Sequence, residues 1–344
     1  MRIKRLIFLF PFLFFSCSEN NKPDSQDTPI GNFDVLWQTI DHKYCFLDLK
    51  QIDWEAIGDV YRKQVEAKAA TITDRELFEI FSSMLDSLHD GHVNLYSDFD
   101  VSRNSAWYDT YPINYSSALV YSERYLGADY KIAGGFHYDL IADGHIGYMK
   151  YSSFSNTVSI TNVFHIFDFF RNCQGLIIDV RNNGGGSLTN SEKLASFFFD
   201  EKTTVGYIQH KIGFGHNDFS DLEPFYVKPS EYIYWGLPVV ILTDRLSYSA
   251  TNHFVSTMKN AKQVMLLGGK TGGGSGMPLS NELPNGWLVR FSAVPMYDAG
   301  KNHIEDGVSP HKLVNLTKSD FEKGEDTIIE EAVKQIFIQN PMKK

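Results

Sequence analysis

Three short apolar runs constrain this chain more than anything else in it: "GLIIDV" (175–180), "LPVVILTD" (237–244) and "QVMLLGG" (263–269). They are continuous rather than alternating, the pattern of strands buried on both faces. Between and beside them lie "SLTNSEKLASFFF" and "SATNHFVSTMKNA", which read as helices. Upstream, "IGYMKY" reads as a strand and "ITNVFHIFDFFRNC" as a helix. Strands alternating with helices require crossover connections, so the expected class is α/β with parallel βαβ units. "NGWLVRFSAVPMYDAG" predicts a strand or hairpin entered through Asn285-Gly286, and "DFEKGEDTIIEEAVKQIF" predicts a closing helix.

The first third reads differently. "FDVLWQTIDHKYCFLD" puts Phe33, Leu36, Trp37, Ile40 and Tyr44 on one stripe at three-four spacing, the period of an amphipathic helix. "TDRELFEIFSSMLDSL" repeats it behind a cap at Thr73 or Asp74. The expected organisation is a leader at 1–17, a polar tether at 18–30, a small helical domain at 31–95, an irregular β-rich connection at 96–145 and the α/β core at 146–344.

With 344 residues, 43% of them hydrophobic, the chain can bury a large core. Its formal net charge of −10 carries no basic stripe, so a nucleic-acid partner is not expected. Three cysteines make no disulfide framework, and the scattered histidines match no metal-ligand spacing. No adenine or phosphate motif points to a cofactor. At the start, "MRIKR" precedes "LIFLFPFLFF", an apolar run too short to span a bilayer, as in a signal peptide. The run ends in "FFSC", which resembles a bacterial lipoprotein cleavage site, although Phe14 stands where Leu is usual. That resemblance implies lipidation at Cys17, contact with a membrane through the anchor alone, and a place in the cell envelope, periplasmic or on the outer surface. The acidic, Pro-containing segment that follows cannot bury a core.

Active sites of parallel α/β sheets lie beyond the carboxyl ends of the strands. Three loops with chemical potential sit there. "DVRNNGGGSLTN" leads its glycines into a helix start, where main-chain N–H groups can meet an anion. "RLSYSATNHF" leaves a strand through Ser247 and Ser249 and turns helical. A serine at such a corner either caps the helix or presents its hydroxyl, with the next N–H aimed at a developing oxyanion. "GGKTGGGSG" is the third.

Together with "LDSLHDGHVNL", "GHIGYMKYSSF" and "IEDGVSPH", these segments resemble, in order and spacing, the S41 peptidases, which include carboxyl-terminal processing proteases and tricorn-protease cores. The resemblance runs from about residue 32 to the end and implies a ClpP/crotonase-like core and a peptide or protein substrate. It assigns the nucleophile to Ser249 and the oxyanion donors to the N–H groups of Gly186 and Ala250. Two positions depart from the pattern: Asn252 stands where an acid is usual, and Gly274 stands where the processing-protease branch carries its lysine base. Lys270 lies four residues too early to replace it. The tricorn-like branch instead uses a histidine, which nominates His92, oriented by a glutamate, which nominates Glu305. Such a histidine must be neutral to accept the serine proton, so activity should fall as pH drops through roughly 6 to 7. His253, His303 and His311 are expected to be structural or surface residues, and Asp90 is left without an assigned role. Residues 96–145 are too short for a PDZ module. Because of the two departures, a peptide- or anion-binding lipoprotein without catalysis is the alternative on the same fold.

Overall fold

The computed structural model describes residues 26–341. The leader, Cys17 and most of the tether lie outside the described residues. Helix α1 (Pro29–Lys43) starts at Thr28, whose side chain accepts from Gly31 N–H. Helix α2 (Trp54–Lys68) starts at Asp53, and α3 (Asp74–Asp86) at Thr73, where Thr73 and Glu76 form a reciprocal capping box. Strand β1 (Asn94–Tyr96), the short helices α4 (Ala106–Asp109) and α5 (Ser117–Val120), and strands β2 (Lys131–Ala133) and β3 (Phe136–Ile141) follow.

The βαβ alternation then begins: β4 (Ile146–Tyr151), α6 (Ile160–Phe169), β5 (Gly175–Asp179) and α7 (Leu188–Ala195). A hairpin, β6 (Thr203–Ile208) and β7 (Glu223–Val227), interrupts it before β8 (Val239–Thr243), α8 (Ala250–Met258) and β9 (Val264–Gly268). Strands β10 (Gly276–Glu282), β11 (Leu288–Asp298) and β12 (Lys312–Leu313) precede α9 (Lys318–Glu322) and α10 (Thr327–Gln339). The closing helix expected as one element is two, parted at Gly324, whose φ is +77°.

The main sheet has the order β12-β9-β8-β5-β4-β3-β2. The pairs from β12 to β4 are parallel, and β3 and β2 add an antiparallel edge. β5 and β8 are buried at every residue, as continuous apolar runs require. The chain also builds a second, antiparallel sheet that the expected parallel units did not include. It runs β1-β11-β6-β7, with β10 also paired to β11. The eleven-residue β11 is long enough to pair with β10 from Leu288 to Pro295, with β1 over its first three residues and with β6 over its last three. The three long N-terminal helices pack on this sheet. One apolar cluster joins Phe33, Leu36, Phe81 and Met84 to Trp287, Val289 and Phe291.

One buried network fixes the end of β5. The Arg181 guanidinium is fully buried, gives Asp179 bonds of 2.6 and 3.0 Å, and reaches Asp326 at 3.0 Å. Asp326 also caps α10 by accepting from the N–H groups of Ile328 and Ile329. Lys150, whose burial pushes it down to about 8, donates to Arg181 O at 2.7 Å. Replacing Arg181 with Met leaves two buried carboxylates without their cation. That should cost about 3–5 kcal/mol in chemical denaturation. Breaking the exposed Arg171–Asp168 pair should cost less than about 1 kcal/mol.

Candidate active site

Ser249 sits between β8 and α8 with φ +59° and ψ −122°, a backbone that a residue with a Cβ rarely adopts. Such strain costs on the order of 1–3 kcal/mol and persists only where surrounding bonds over-determine it. Here they do. Ser249 N–H donates to Gly273 O at 2.8 Å, Tyr248 N–H to Asn183 O at 3.1 Å, and His253 N–H to Ser249 O at 3.0 Å. Ser247 is buried below the corner. Its hydroxyl donates to Val180 O at 2.8 Å and accepts from Asp244 N–H at 3.1 Å. It therefore ties the ends of β5 and β8 together and supports the corner without capping α8.

The glycine loop after β5 is held against this corner. Asn183 Nδ2 donates to Tyr151 O at 2.8 Å, and its Oδ1 accepts from Gly185 N–H at 3.0 Å. Gly185 and Gly186 have φ of +99° and +138°. A Cβ on Gly185 would lie 2.8 Å from Ser249 Cβ and 2.9 Å from Ala250 N, and one on Gly186 would lie 2.3 Å from Ser155 N. The loop can approach the serine only as glycine. The N–H groups of Gly186 and Ala250 donate to no protein acceptor in the hydrogen-bond pattern of this loop and corner. Ala250 opens a nine-residue helix, so its N–H adds the positive end of the helix dipole.

His92 comes from the turn before β1, 157 residues earlier in the chain, and its Nε2 lies 3.0 Å from Ser249 Oγ. The ring is 4% exposed and packs on Tyr248 with centroids 5.0 Å apart. Burial lowers its pKa to about 4. Asp90 opposes this by favouring the charged ring, whereas Arg290 and Lys50 reinforce it. Asp90 is buried too. Its Oδ1 accepts from His92 N–H at 2.8 Å, and its Oδ2 accepts from Tyr44 at 3.0 Å and Ser292 at 2.8 Å. The residue without an assigned role thus fixes the backbone that carries His92.

Glu305 requires a correction. It is buried in the same site, but makes no bond to His92, whose Nδ1 is buried with no well-aligned hydrogen bond; the backbone of Gly276 beside the ring favours its charged form. Its Oε2 accepts from Ser275 N–H at 2.8 Å, and its Oε1 lies 3.1 Å from Lys50 Nζ. The acid is engaged elsewhere, so the expected contact with the imidazole is not made. Burial raises Glu305 to about 7; Asp90 adds to the rise, and Lys50 and the Ser275 N–H oppose it.

Both departures from the expected pattern have physical reasons. A Cβ on Gly274 would fall 2.3 Å from Cζ of Tyr248. The space a lysine would need there is filled by Tyr248, the residue before Ser249, and Lys270 makes no bond to Ser249 or His92. Asn252 Nδ2 donates to Ile304 O at 3.0 Å while its Oδ1 accepts from Thr271 Oγ1. An ionised acid has no donor for the carbonyl, so the amide suits this bridge between the third loop and the Glu305 segment. His253 bonds Ser191 in the interior at 2.9 Å, and His303 and His311 lie outside the site. Lys50, Asn183 and Tyr248 are the contributors the sequence does not reveal. Beside them a cavity of about 290 Å³ is lined by Lys50, Asp90, Trp107, Tyr248 and Glu305.

Known proteins resemble this chain over most of its length. Residues 145–314 match Peptidase family S41, and residues 27–86 match the Tricorn protease C1 domain. The crystal structure of a candidate peptidase from Parabacteroides merdae is 48% identical, covers 90% of this chain and 97% of its own, and superposes with a TM-score of 0.86. Mature CPAF in complex with lactacystin shares the fold at a TM-score of 0.68 and 12% identity, covering 91% of this chain and 98% of its own. The carboxy-terminal processing protease CtpA of Bacillus subtilis is 22% identical over 52% of this chain, and a CtpA-like serine protease of Staphylococcus saprophyticus 28% over 40%. These alignments span only 37% and 27% of those two relatives.

The buried ring moves the expected pH dependence. A His92 with its pKa near 4 stays neutral, and able to accept a proton, well below pH 6. The rate of fluorophosphonate inactivation should therefore hold from neutral pH to about 5 and fall only as pH approaches 4. A fall centred near 6.5 would mean that the ring is solvated.

Proposed function

This chain belongs to the S41 peptidase family, and from that premise we propose that it is an exported serine peptidase that cleaves peptide bonds through an acyl-enzyme on Ser249. The observation that carries the reading is the 3.0 Å approach of His92 Nε2 to Ser249 Oγ, at a corner whose strained backbone presents the hydroxyl. A serine hydroxyl is a weak nucleophile until a neighbouring base takes its proton. In this reading Ser249 Oγ attacks the peptide carbonyl carbon while its proton passes to His92 Nε2. The carbonyl oxygen becomes an oxyanion held by the N–H groups of Gly186 and Ala250. As the intermediate collapses, the C–N bond breaks and His92 returns the proton to the leaving amine. Water, deprotonated by the same imidazole, then attacks the ester carbon; the C–Oγ bond breaks, His92 gives its proton to Ser249 Oγ, and the acid is released.

Glu305 acts in this scheme as the buried acid of the site, one step removed from the ring, through Lys50 and the third loop. Orientation of the imidazole falls to Asp90 through the His92 main chain and to the face of Tyr248. The lack of an acid bonded to Nδ1 of His92 favours the second reading, a peptide- or anion-binding protein on the same fold. The two separate on one experiment. In the peptidase reading, a fluorophosphonate labels wild type and Ser247→Ala but not Ser249→Ala, and Ser249→Ala keeps its fold. A wild-type protein that stays unlabelled would favour the binding protein.

Export with lipid anchorage at Cys17 is part of the proposal and rests on the basic, apolar, small-residue–Cys order of the leader. Radiolabelled palmitate should enter wild type and not Cys17→Ala; incorporation into both would rule out that anchor.

A further inference from the structure

Lys50 belongs to neither of the loops that carry the base and the acid, yet it binds both. It lies between α1 and α2, in a segment pinned to β11 by Cys45 N–H donating to Ser292 O at 3.0 Å. Its ammonium donates to His89 O at 3.1 Å and Leu88 O at 3.4 Å, carbonyls of the turn that leads into His92. It reaches Glu305 Oε1 at 3.1 Å and lies 3.9 Å from Asp90 Oδ2. The side chain is 16% exposed and runs over the rings of Phe46 and Tyr44, at 5.6 and 6.0 Å. An ammonium has three donors, and all three are directed at groups that surround the base.

We propose that Lys50 is a positioning residue for the reaction. It staples the turn that carries His92 to the segment that carries Glu305, and it sets a fixed positive charge among the groups that surround the imidazole. The inference rests on the serine-peptidase reading of Ser249 and His92 and assigns the N-terminal helical segment a part in the chemistry.

The charges facing this corner decide the sign. Burial would lower the pKa of Lys50, but Asp90, then Glu305, with Asp306 beyond, outweigh it and keep the ammonium charged. Tyr44 and Cys45, beside it, are pushed up by burial and stay protonated. Asp90 resists the same burial and stays ionised because Lys50, His92 and hydrogen bonds stabilise its charge. Across the ring, Arg290 acts in the same sense as Lys50 and Asp90 in the opposite one. Glu305, raised to about 7, already carries its proton at the lower pH where His92 titrates. Provided that Asp90 keeps its charge on the bonds from His92 N–H, Tyr44 and Ser292, loss of the Lys50 charge is not offset by Glu305 there, and the pKa of His92 rises.

The test measures the second-order rate of fluorophosphonate inactivation from pH 4 to 8 for the full chain, with a thermal melt of each variant. Lys50→Met should inactivate at least tenfold more slowly at neutral pH, with its acid limb displaced upward. Lys50→Arg, which keeps the charge and the donors, should restore both the rate and the limb. If Lys50→Met does not fold, Lys50→Gln carries the same test, because it keeps a donor for His89 O and loses the charge. An unmoved acid limb in the neutral variants would overturn the proposal, since a mere brace lowers the rate equally at every pH. Wild-type protein that does not react at all would overturn the peptidase reading itself, a result distinct from that one.

Discussion

The site depends on a buried cation that takes no part in it. Arg181 lies wholly inside the protein, where a lone guanidinium would be prohibitive, and is tolerated because Asp179 and Asp326 meet it in hydrogen-bonding geometry. The burial that would lower its pKa is overcome by these two carboxylates, which hold it charged. The consequence is positional. Asp179 ends β5, Arg181 opens the glycine loop and Asp326 starts α10, so one charge cluster fixes where the loop leaves the sheet. Residues 182–186 then need only Asn183 and the Asp244 carboxylate, which accepts from Asn182 N–H at 2.9 Å, to lie against Ser249. The N–H groups at Gly186 and Ala250 are aimed without local side chains because the aiming is done one layer below.

The elements legible in the sequence are those whose burial leaves one reading. β5 and β8 are apolar at every position because both faces are covered, and α8 follows at once. The pairing of Ser249 with His92 was legible too, but only through resemblance, since no periodicity links residues 157 positions apart. The second sheet was hidden for a physical reason. β6 and β7 are only partly buried, and β1 is three residues long, so none carries the unbroken apolar run that marked the main sheet. β11 was visible as a strand, but its role in joining the sheets depends on partners that its own residues do not specify.

Lys50 and Glu305 show where spacing stops being informative. Glu305 was nominated by the motif that follows it, and it is in the site. What it touches depends on Lys50, a residue that reads in sequence as an ordinary polar position after a helix. Its stem covers aromatic surface while its head reaches two carboxylates and two carbonyls, an arrangement long cations allow and composition does not record. Three long-range choices had to be made before that contact existed: the helices had to pack on β11, the turn before β1 had to cross to the sheet end, and the Glu305 segment had to return beside it.

The glycines of the third loop give the last step. In sequence they resemble the glycine loop after β5, and flexibility is the obvious reading. In the fold they make room for aromatic rings. A Cβ on Gly272 would meet Trp107 at 2.5 Å, and one on Gly274 would meet Tyr248 at 2.3 Å. Those two rings stack with centroids 4.3 Å apart, and Arg245 secures α4 through Trp107 O at 2.7 Å. The stack supplies the wall against which His92 packs and the burial that keeps its ring neutral. An aromatic at 248 and a lysine at 274 exclude each other sterically. Packing thus denies a side chain to position 274, while the turn before β1 brings the His92 imidazole to 3.0 Å from Ser249 Oγ.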